Sequence, residues 1–313
     1  MATSGSKNFS VTRSDITNAA LRKLGVYDQG EAPLSSDTQN ASLALNLMIK
    51  EWAAKGIDTW LRQEVTLFLQ PDTQSYSLGT THATTSFSET TLSADHAASA
   101  TSISLTSSSG MTAADNIGIK LDDDSIHWTT ISTVDSSTAV TIASGLASAA
   151  SSGNKVYAYT TKAGRPQKIL FAYRRDTSGL DTEVTIIGEN EYRRQSNKAS
   201  SGPPVQIYYN PTLTTGTLYV WPVDGGSTWD KLIFIGQYLP DDFDSSADNP
   251  EFPIEWGNAL VWNLAAEMAS EYGLSEAEQA RIWSIAQSKL RDVLFYDVEN
   301  ASMIIALDKH GRE

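Results

Sequence analysis

Three consecutive carboxylates, Asp122, Asp123 and Asp124, are the densest charge run in the chain, and carboxylates on one loop could hold Ca²⁺. The run lacks the alternating ligands, the Gly and the distal Glu of an EF-hand, and it lies between the alternating segments GIKL and IHWTTI. A solvated hairpin turn is therefore the expected role. A second acidic group, Asp241, Asp242, Asp244 and Asp248, precedes a helix expected from Pro253, where the helix dipole and turn chemistry account for negative charge without a metal. The four His residues, His82, His96, His127 and His310, lie apart, and none has a ligand partner at i+3 or i+4. No phosphate loop of the GxxxxGK[ST] kind, no GxGxxG, no HExxH and no GxSxG occurs, and without Cys there is no thiolate nucleophile or thiolate metal site. Carboxylate pairs for glycoside hydrolysis can always be drawn from 37 acidic residues, but no feature selects one. No catalytic residue, cofactor or metal site is expected, and the chain does not read as an enzyme.

Two further groups concern binding. Arg174/Arg175 and Arg193/Arg194 each adjoin a Tyr (Tyr173, Tyr192), as in some nucleic-acid surfaces, yet isolated pairs in a chain of net charge −14 fit strand-end charges or salt bridges better. Affinity for nucleic acid comes largely from Lys and Arg displacing counterions, so an acidic chain is not expected to grip DNA, although DNA can pass beside it. At the C-terminus, Met303, Ile304, Ile305 and Leu307 concentrate large apolar side chains in a segment that would ordinarily be polar. Packing on the chain's own core and docking on a partner are both open readings of this tail.

The elements that position these residues differ along the chain. Its 313 residues are 40% apolar and 9% aromatic, a globular composition of about two domains. No run is apolar and long enough to span a membrane, and MATSGSKNFSVTRSD lacks the apolar stretch of a secretory signal, so synthesis in a reducing cytoplasm is expected. Between Thr80 and Thr161, 33 of 82 residues are Ser or Thr, nine are charged and none is Pro. Short β-branched runs recur there at Ser102 to Thr106, Ile117 to Leu121, Ile126 to Val134, Ala139 to Ile142 and Val156 to Thr160, which predicts an inserted β-sandwich or barrel over 80–161.

The flanks read as an α+β core of 1–79 and 162–313. Thr12 with Asp15, Ser36 with Gln39, and Ser275 with Glu278 have capping-box spacing, and Gly25, Gly56 and Gly273 supply stops. Ala41, Leu45, Met48 and Trp52 mark the core face of the second helix; Trp256, Leu260, Leu264 and Met268 mark that of a helix near the other end. The terminal helices are expected to pack as a helical bundle. KILFAY, EVTIIG, VQIYYN, TLYVWP and KLIFIGQYL predict an antiparallel meander over about 164–240, with 300–313 as a docking tail.

The succession DITNAALRKLGV, DTQNASLALNLMIKEWAAKGIDTW, TLFLQPDTQSYSLG and, after the β region, PDDFDSSADNPEFPIEWGNALVWNLAAEMASEYGL resembles the head-to-tail adaptor family of short-tailed bacteriophages, also called tail accessory or packaged-DNA-stabilisation proteins. The insert, with SSSGMTAADNIGIKLDDDSIHWTTI and GNKVYAYT, is similar to β-modules of tailed-phage proteins. The resemblance implies a structural virion protein at the capsid vertex, a homo-oligomeric ring of about twelve copies docked under the portal protein. It further implies that genomic DNA passes through the ring's channel without specific binding, that tail nozzle, fibre or spike proteins attach to it, and that Met303, Ile304, Ile305 and Leu307 dock on the portal. A carbohydrate-binding or adhesive tail surface protein and a tail-associated cell-wall hydrolase are the alternatives.

Overall fold

The computed structural model describes residues 5–296 apart from 7, 29, 57–60 and 227–228, with the side chains of Trp229, Asp230 and Tyr296 outside the description. The fold is mixed α+β with several antiparallel sheets, and it divides into two compact units, Met1–Trp60 with Leu239–Glu313, and Leu61–Tyr238. The tail residues Met303, Ile304, Ile305 and Leu307, and His310, lie outside the described residues.

The first unit is helical. In α1 (Arg13–Lys23) the expected capping box forms: Asp15 accepts from Thr12 N and Oγ1 at 2.9 and 2.8 Å, and its own N–H donates to Thr12 Oγ1 at 3.2 Å. Two more free N–H groups of the first turn find partners in the acidic loop, Arg13 on Asp248 O at 2.8 Å and Ser14 on Ser246 O at 3.1 Å. The acids expected to face the following helix thus lie in a loop that docks on α1, with Asp242 paired to Lys50 at 2.7 Å.

In α2 (Ser35–Ala54) the expected Ser36–Gln39 box does not form. The extended Pro33–Leu34 step puts Leu34 at the cap (φ −62°, ψ 149°), without a side-chain bond, and Ser36 falls inside the first turn, where its hydroxyl is past the capping position. A 3-10 turn at Ile254–Trp256 leads into α4 (Gly257–Met268); Gly273, at φ +66°, reverses the chain, and Ser275 and Glu278 open α5 (Glu276–Tyr296) as expected. These four helices share a core containing Ile16, Leu21, Leu45, Met48, Trp52, Trp256, Leu260, Leu264 and Ile282. Buried Asn263 joins α4 to α5, donating to Ala259 O at 2.8 Å and Ala286 O at 3.2 Å.

The second unit is β, apart from the short α3 (Glu189–Arg194). Its strands are β1 (Arg62–Phe68), β2 (Ser75–Leu78), β3 (Ala83–Thr84), β4 (Ser88–Thr91), β5 (Ser102–Ser104), β6 (Asn116–Lys120), β7 (Ile126–Ser136), β8 (Ala139–Ile142), β9 (Lys155–Tyr159), β10 (Lys168–Asp176), β11 (Asp181–Glu183), β12 (Thr185–Ile186), β13 (Gln206–Pro211), β14 (Gly216–Trp221) and β15 (Trp229–Gln237). Where a meander was expected, two sheets form, β11-β10-β15-β1-β3 and β12-β13-β14-β2, around one core of Val65, Leu67, Ile207, Leu218, Leu232 and Phe234. EVTIIG divides between them. Asp181–Glu183 returns antiparallel along β10, Val184 turns into the core, and Thr185–Ile186 pairs parallel with β13.

Residues 88–159 form a third sheet, β4-β9-β6-β7-β8-β5, with its own core of Leu92, Ile103, Leu105, Ile117, Ile119, Ile131, Val140 and Val156. It is a single curled half-barrel instead of two stacked sheets: Leu92 beyond β4 bridges Leu105 beyond β5, bringing its two edges together. Leucine, isoleucine and valine alternate inward while Ser and Thr face out, so a Ser/Thr-rich sequence still fills a core. Its ends lie side by side, with Thr84 Oγ1 donating to Thr161 O at 2.9 Å and Ala163 N to Ala83 O at 2.7 Å.

The compact units therefore differ from the expected division. The two sheets around β1 and β15 group with the half-barrel, and the helices stand as the other unit. An aromatic seam accounts for the grouping: Phe68 of β1 packs on Tyr157 and Trp128 with centroids 4.7 and 5.1 Å apart, and on Phe87 and Tyr159 at 5.2 and 6.2 Å.

Candidate functional site

Among the described residues, those whose types could do chemistry do not converge. Asp122 accepts from Ser151 N at 2.8 Å and Asn154 Nδ2 at 2.9 Å, Asp123 accepts from Ser125 N at 3.0 Å, and Asp124 pairs with Lys120 at 3.2 Å. The run is the hairpin turn between β6 and β7, and its three carboxylates serve three different neighbours. Among the described residues no three His, Asp or Glu side chains are grouped as metal ligands. Hydrogen bonds led by the Ser151 N–H hold Asp122 below the usual carboxylate range, and bonds led by the Ser125 hydroxyl do the same for Asp123. Hydrogen bonding likewise lowers Asp135, Asp176 and Asp181, the reverse of what a general acid at neutral pH needs.

Three of the four arginines of the basic pairs, Arg174, Arg175 and Arg193, are occupied inside the chain. Arg175 holds Asp181 through Nε at 2.6 Å and Nη2 at 2.8 Å, Arg174 donates to Pro204 O, and Arg193 pairs with Glu189 across one helical turn at 2.6 Å. His96 accepts from Ser104 N at 3.0 Å. His82, at the root of the half-barrel, stacks on Trp128 with centroids 4.1 Å apart and planes 4° from parallel, and its Nδ1 lies 2.7 Å from Tyr159 Oη. Trp128 fits there because its cross-strand partner is Gly118, where a Cβ would come within 2.7 Å of the ring.

Burial, with a smaller contribution from Lys162, lowers His82 to about 4. Between that value and the ordinary 6.5 the unfolded chain binds more protons at this site than the folded one, so stability is full above pH 6.5 and falls as pH drops toward about 4. The loss should be roughly 1–2 kcal/mol, because the ring is half-exposed and water screens part of the shift. Urea unfolding at pH 7 and pH 4.5 should show it, and His82→Gln should flatten that difference; an unchanged pH dependence in the variant would assign the effect elsewhere.

One ion pair, between a buried lysine and a carboxylate that keeps about a third of its surface in water, ties the half-barrel to β15. Lys231, 5% exposed, donates to Glu89 Oε2 at 2.6 Å while Lys155 reaches Glu89 Oε1 at 3.0 Å. Burial pushes the Glu89 carboxyl up, but hydrogen bonds from Lys231 and Lys155 outweigh it and hold the group below its ordinary value. The Lys231 ammonium also lies over Phe87 and Tyr157, 5.5 and 5.2 Å from the ring centroids.

Exposed apolar side chains on the helices of the first unit could meet a partner. On α2, Leu43 and Leu47 are 62% and 63% exposed, one turn apart, beside uncharged Gln39 and Asn40. On α5, Trp283 is 53% and Phe295 83% exposed. Both helices pack on α4. These residues were not singled out by periodicity, since LALNLM carries two stripes and Leu45 and Met48 are the one turned to the core. The signal was the second stripe: Leu43 and Leu47 at i+4 on a face that should have been polar.

No protein-family model and no curated protein matches the chain. No described helix is long and apolar enough to cross a membrane.

Proposed function

We propose that the chain is a structural, non-catalytic virion protein of the head-to-tail adaptor kind. About twelve copies form a ring under the portal protein, extend the DNA channel and carry nozzle, fibre or spike components of the tail. The protein is made in the host cytoplasm and resides at the capsid vertex. In this reading the helices form the bundle that builds the ring wall, and the half-barrel is a small barrel-like module turned toward outer components. Net negative charge suits a conduit, because a wall dense in Lys and Arg would brake the passing duplex.

The observation that carries the reading is the set of exposed large apolar side chains on two different helices, Leu43 and Leu47 on α2 and Trp283 and Phe295 on α5. Two different faces on one subunit suit a head-to-tail contact, in which every copy meets two neighbours through unlike surfaces and rotation closes the ring. The tail residues Met303, Ile304, Ile305 and Leu307 dock on the portal. Each fully buried side chain contributes ~1.5–3 kcal/mol, against ~1–2 kcal/mol per residue for fixing the backbone, so several anchors must be buried together.

Sedimentation and negative-stain microscopy, with and without portal, test this. A monomer alone and a stacked ring with portal are expected, and Ile304→Asp with Ile305→Asp should abolish portal association without loss of folding. A chain that never associates with portal would remove the reading. The adhesive alternative has one observation in its favour, the Tyr208 and Tyr219 rings 5.6 Å apart and 9° from parallel with Tyr192 against both; glycan binding by the monomer would support it.

A further inference from the structure

The helical unit carries an apolar groove of about 480 Å³ between α1 and the start of α4. Ile16 and Ala19 line it from α1 and Gly257 and Val261 from α4, with Phe9 beside Ile254 and Arg22 also on its lining. Phe9 is 75% exposed and Ile254, on the rim, 42%. A smaller hollow of about 140 Å³ continues it past Val11, Phe252 and Pro253.

Where the described chain stops bears on what fills this groove. The short turn through Gly273 makes α4 and α5 antiparallel, and the Asn263 to Ala286 bond sets their register. The last turns of α5 therefore come beside Ile254–Trp256, at the end of α4 where the groove opens. Met303 follows Tyr296 by seven residues. An extended link of that length reaches ~20 Å, whereas crossing one neighbouring helix takes ~10–15 Å. Charge gives the direction as well: a segment entering at Ile254 and running toward Arg22 brings Asp308, next after Leu307, to a guanidinium that makes no ion pair among the described residues.

We propose that this groove receives Met303–Leu307 of the same chain, and that the portal takes the segment from it on docking. The inference deepens the tail-docking reading above, and it makes the tail's burial in the free subunit the state that portal binding must exceed. Intramolecular docking has a high effective concentration across so short a link, which keeps the apolar segment covered and the subunit monomeric until a better site is offered.

The absence of native Cys makes the test direct. Ala19→Cys with Leu307→Cys, oxidised at low protein concentration without portal, should give an intramolecular disulfide roughly tenfold faster than exposed Asn40→Cys with Leu307→Cys. Equal rates at the two positions would overturn the proposal, and so would disulfides formed only between chains, which would assign the groove to a second copy. As a check on protein without substitutions in the groove, amide exchange at Ile16–Arg22 should be slower in the full chain than in one truncated after Ser302; identical exchange would also overturn it. The two readings fail separately. A groove disulfide in a protein that never binds portal leaves the groove assignment standing alone, and portal binding without the disulfide leaves only the portal reading.

Discussion

Leu43→Asp combined with Leu47→Asp is expected to abolish ring formation on the portal while leaving the subunit folded. Both side chains already face water in the subunit, 62% and 63% exposed, so the substitutions remove no core contact and should shift monomer stability by only ~0.5 kcal/mol each. In the ring the same positions would bury two unpaired carboxylates against an apolar neighbour, at several kcal/mol per charge, enough to lower association by about a thousandfold or more. Sedimentation velocity with portal, alongside a circular-dichroism melt of the free subunit, separates the two effects. Rings of normal size from the double variant would show that this face of α2 does not meet a neighbour. Trp283→Ala on α5 is the companion, because a head-to-tail contact requires a second, unlike surface on the same subunit.

Glu89→Ala should strongly destabilise the β unit. It leaves the Lys231 ammonium at 5% exposure without its carboxylate, a loss of about 2–3 kcal/mol, since Glu89 itself keeps about a third of its surface in water and solvent can reach the site it vacates. For a unit of this size the melting midpoint should fall by roughly 10 °C. Pairing Glu89→Leu with Lys231→Met should recover much of the loss, because an apolar pair of similar volume carries no desolvation penalty among Phe87 and Tyr157. A Glu89→Ala protein as stable as the parent would mean that Lys231 finds another acceptor or reaches water. Glu89 also titrates below its ordinary value in the fold, so its contribution is present above the unfolded carboxylate range and is lost as pH falls through the folded value. That acid sensitivity adds to the one expected from His82. The same region bears on removing the half-barrel: replacing 82–160 with a linker would put Lys231 in water, where it needs no partner, but would uncover Phe68, so the truncated chain should fold best when Phe68 is also made polar.

What the sequence determined by itself was whatever is decided within a few residues of chain. The Thr12–Asp15 and Ser275–Glu278 boxes, the reversal at Gly273, the stripe from Trp256 to Met268 and the strands at Asn116–Lys120 and Ile126–Ser136 all rest on hydrogen bonds or alternations closed locally. Ser36 marks the limit of that logic, since its spacing was right but the preceding Pro33–Leu34 step had already started the helix. Tertiary structure decided every matter of partnership. β1 pairs along its whole length with β15, from Arg62 opposite Gln237 to Phe68 opposite Lys231, and EVTIIG is divided between two sheets because Val184 has a core to enter. The same holds for the Lys231–Glu89 bond across 142 positions, for the Leu92–Leu105 bridge that curls the half-barrel, and for which of the two stripes on α2 turns inward. Local geometry offers several partners to each strand edge and two faces to each such helix; the choice among them is made by the burial that the assembled chain achieves, and that quantity belongs to no single segment.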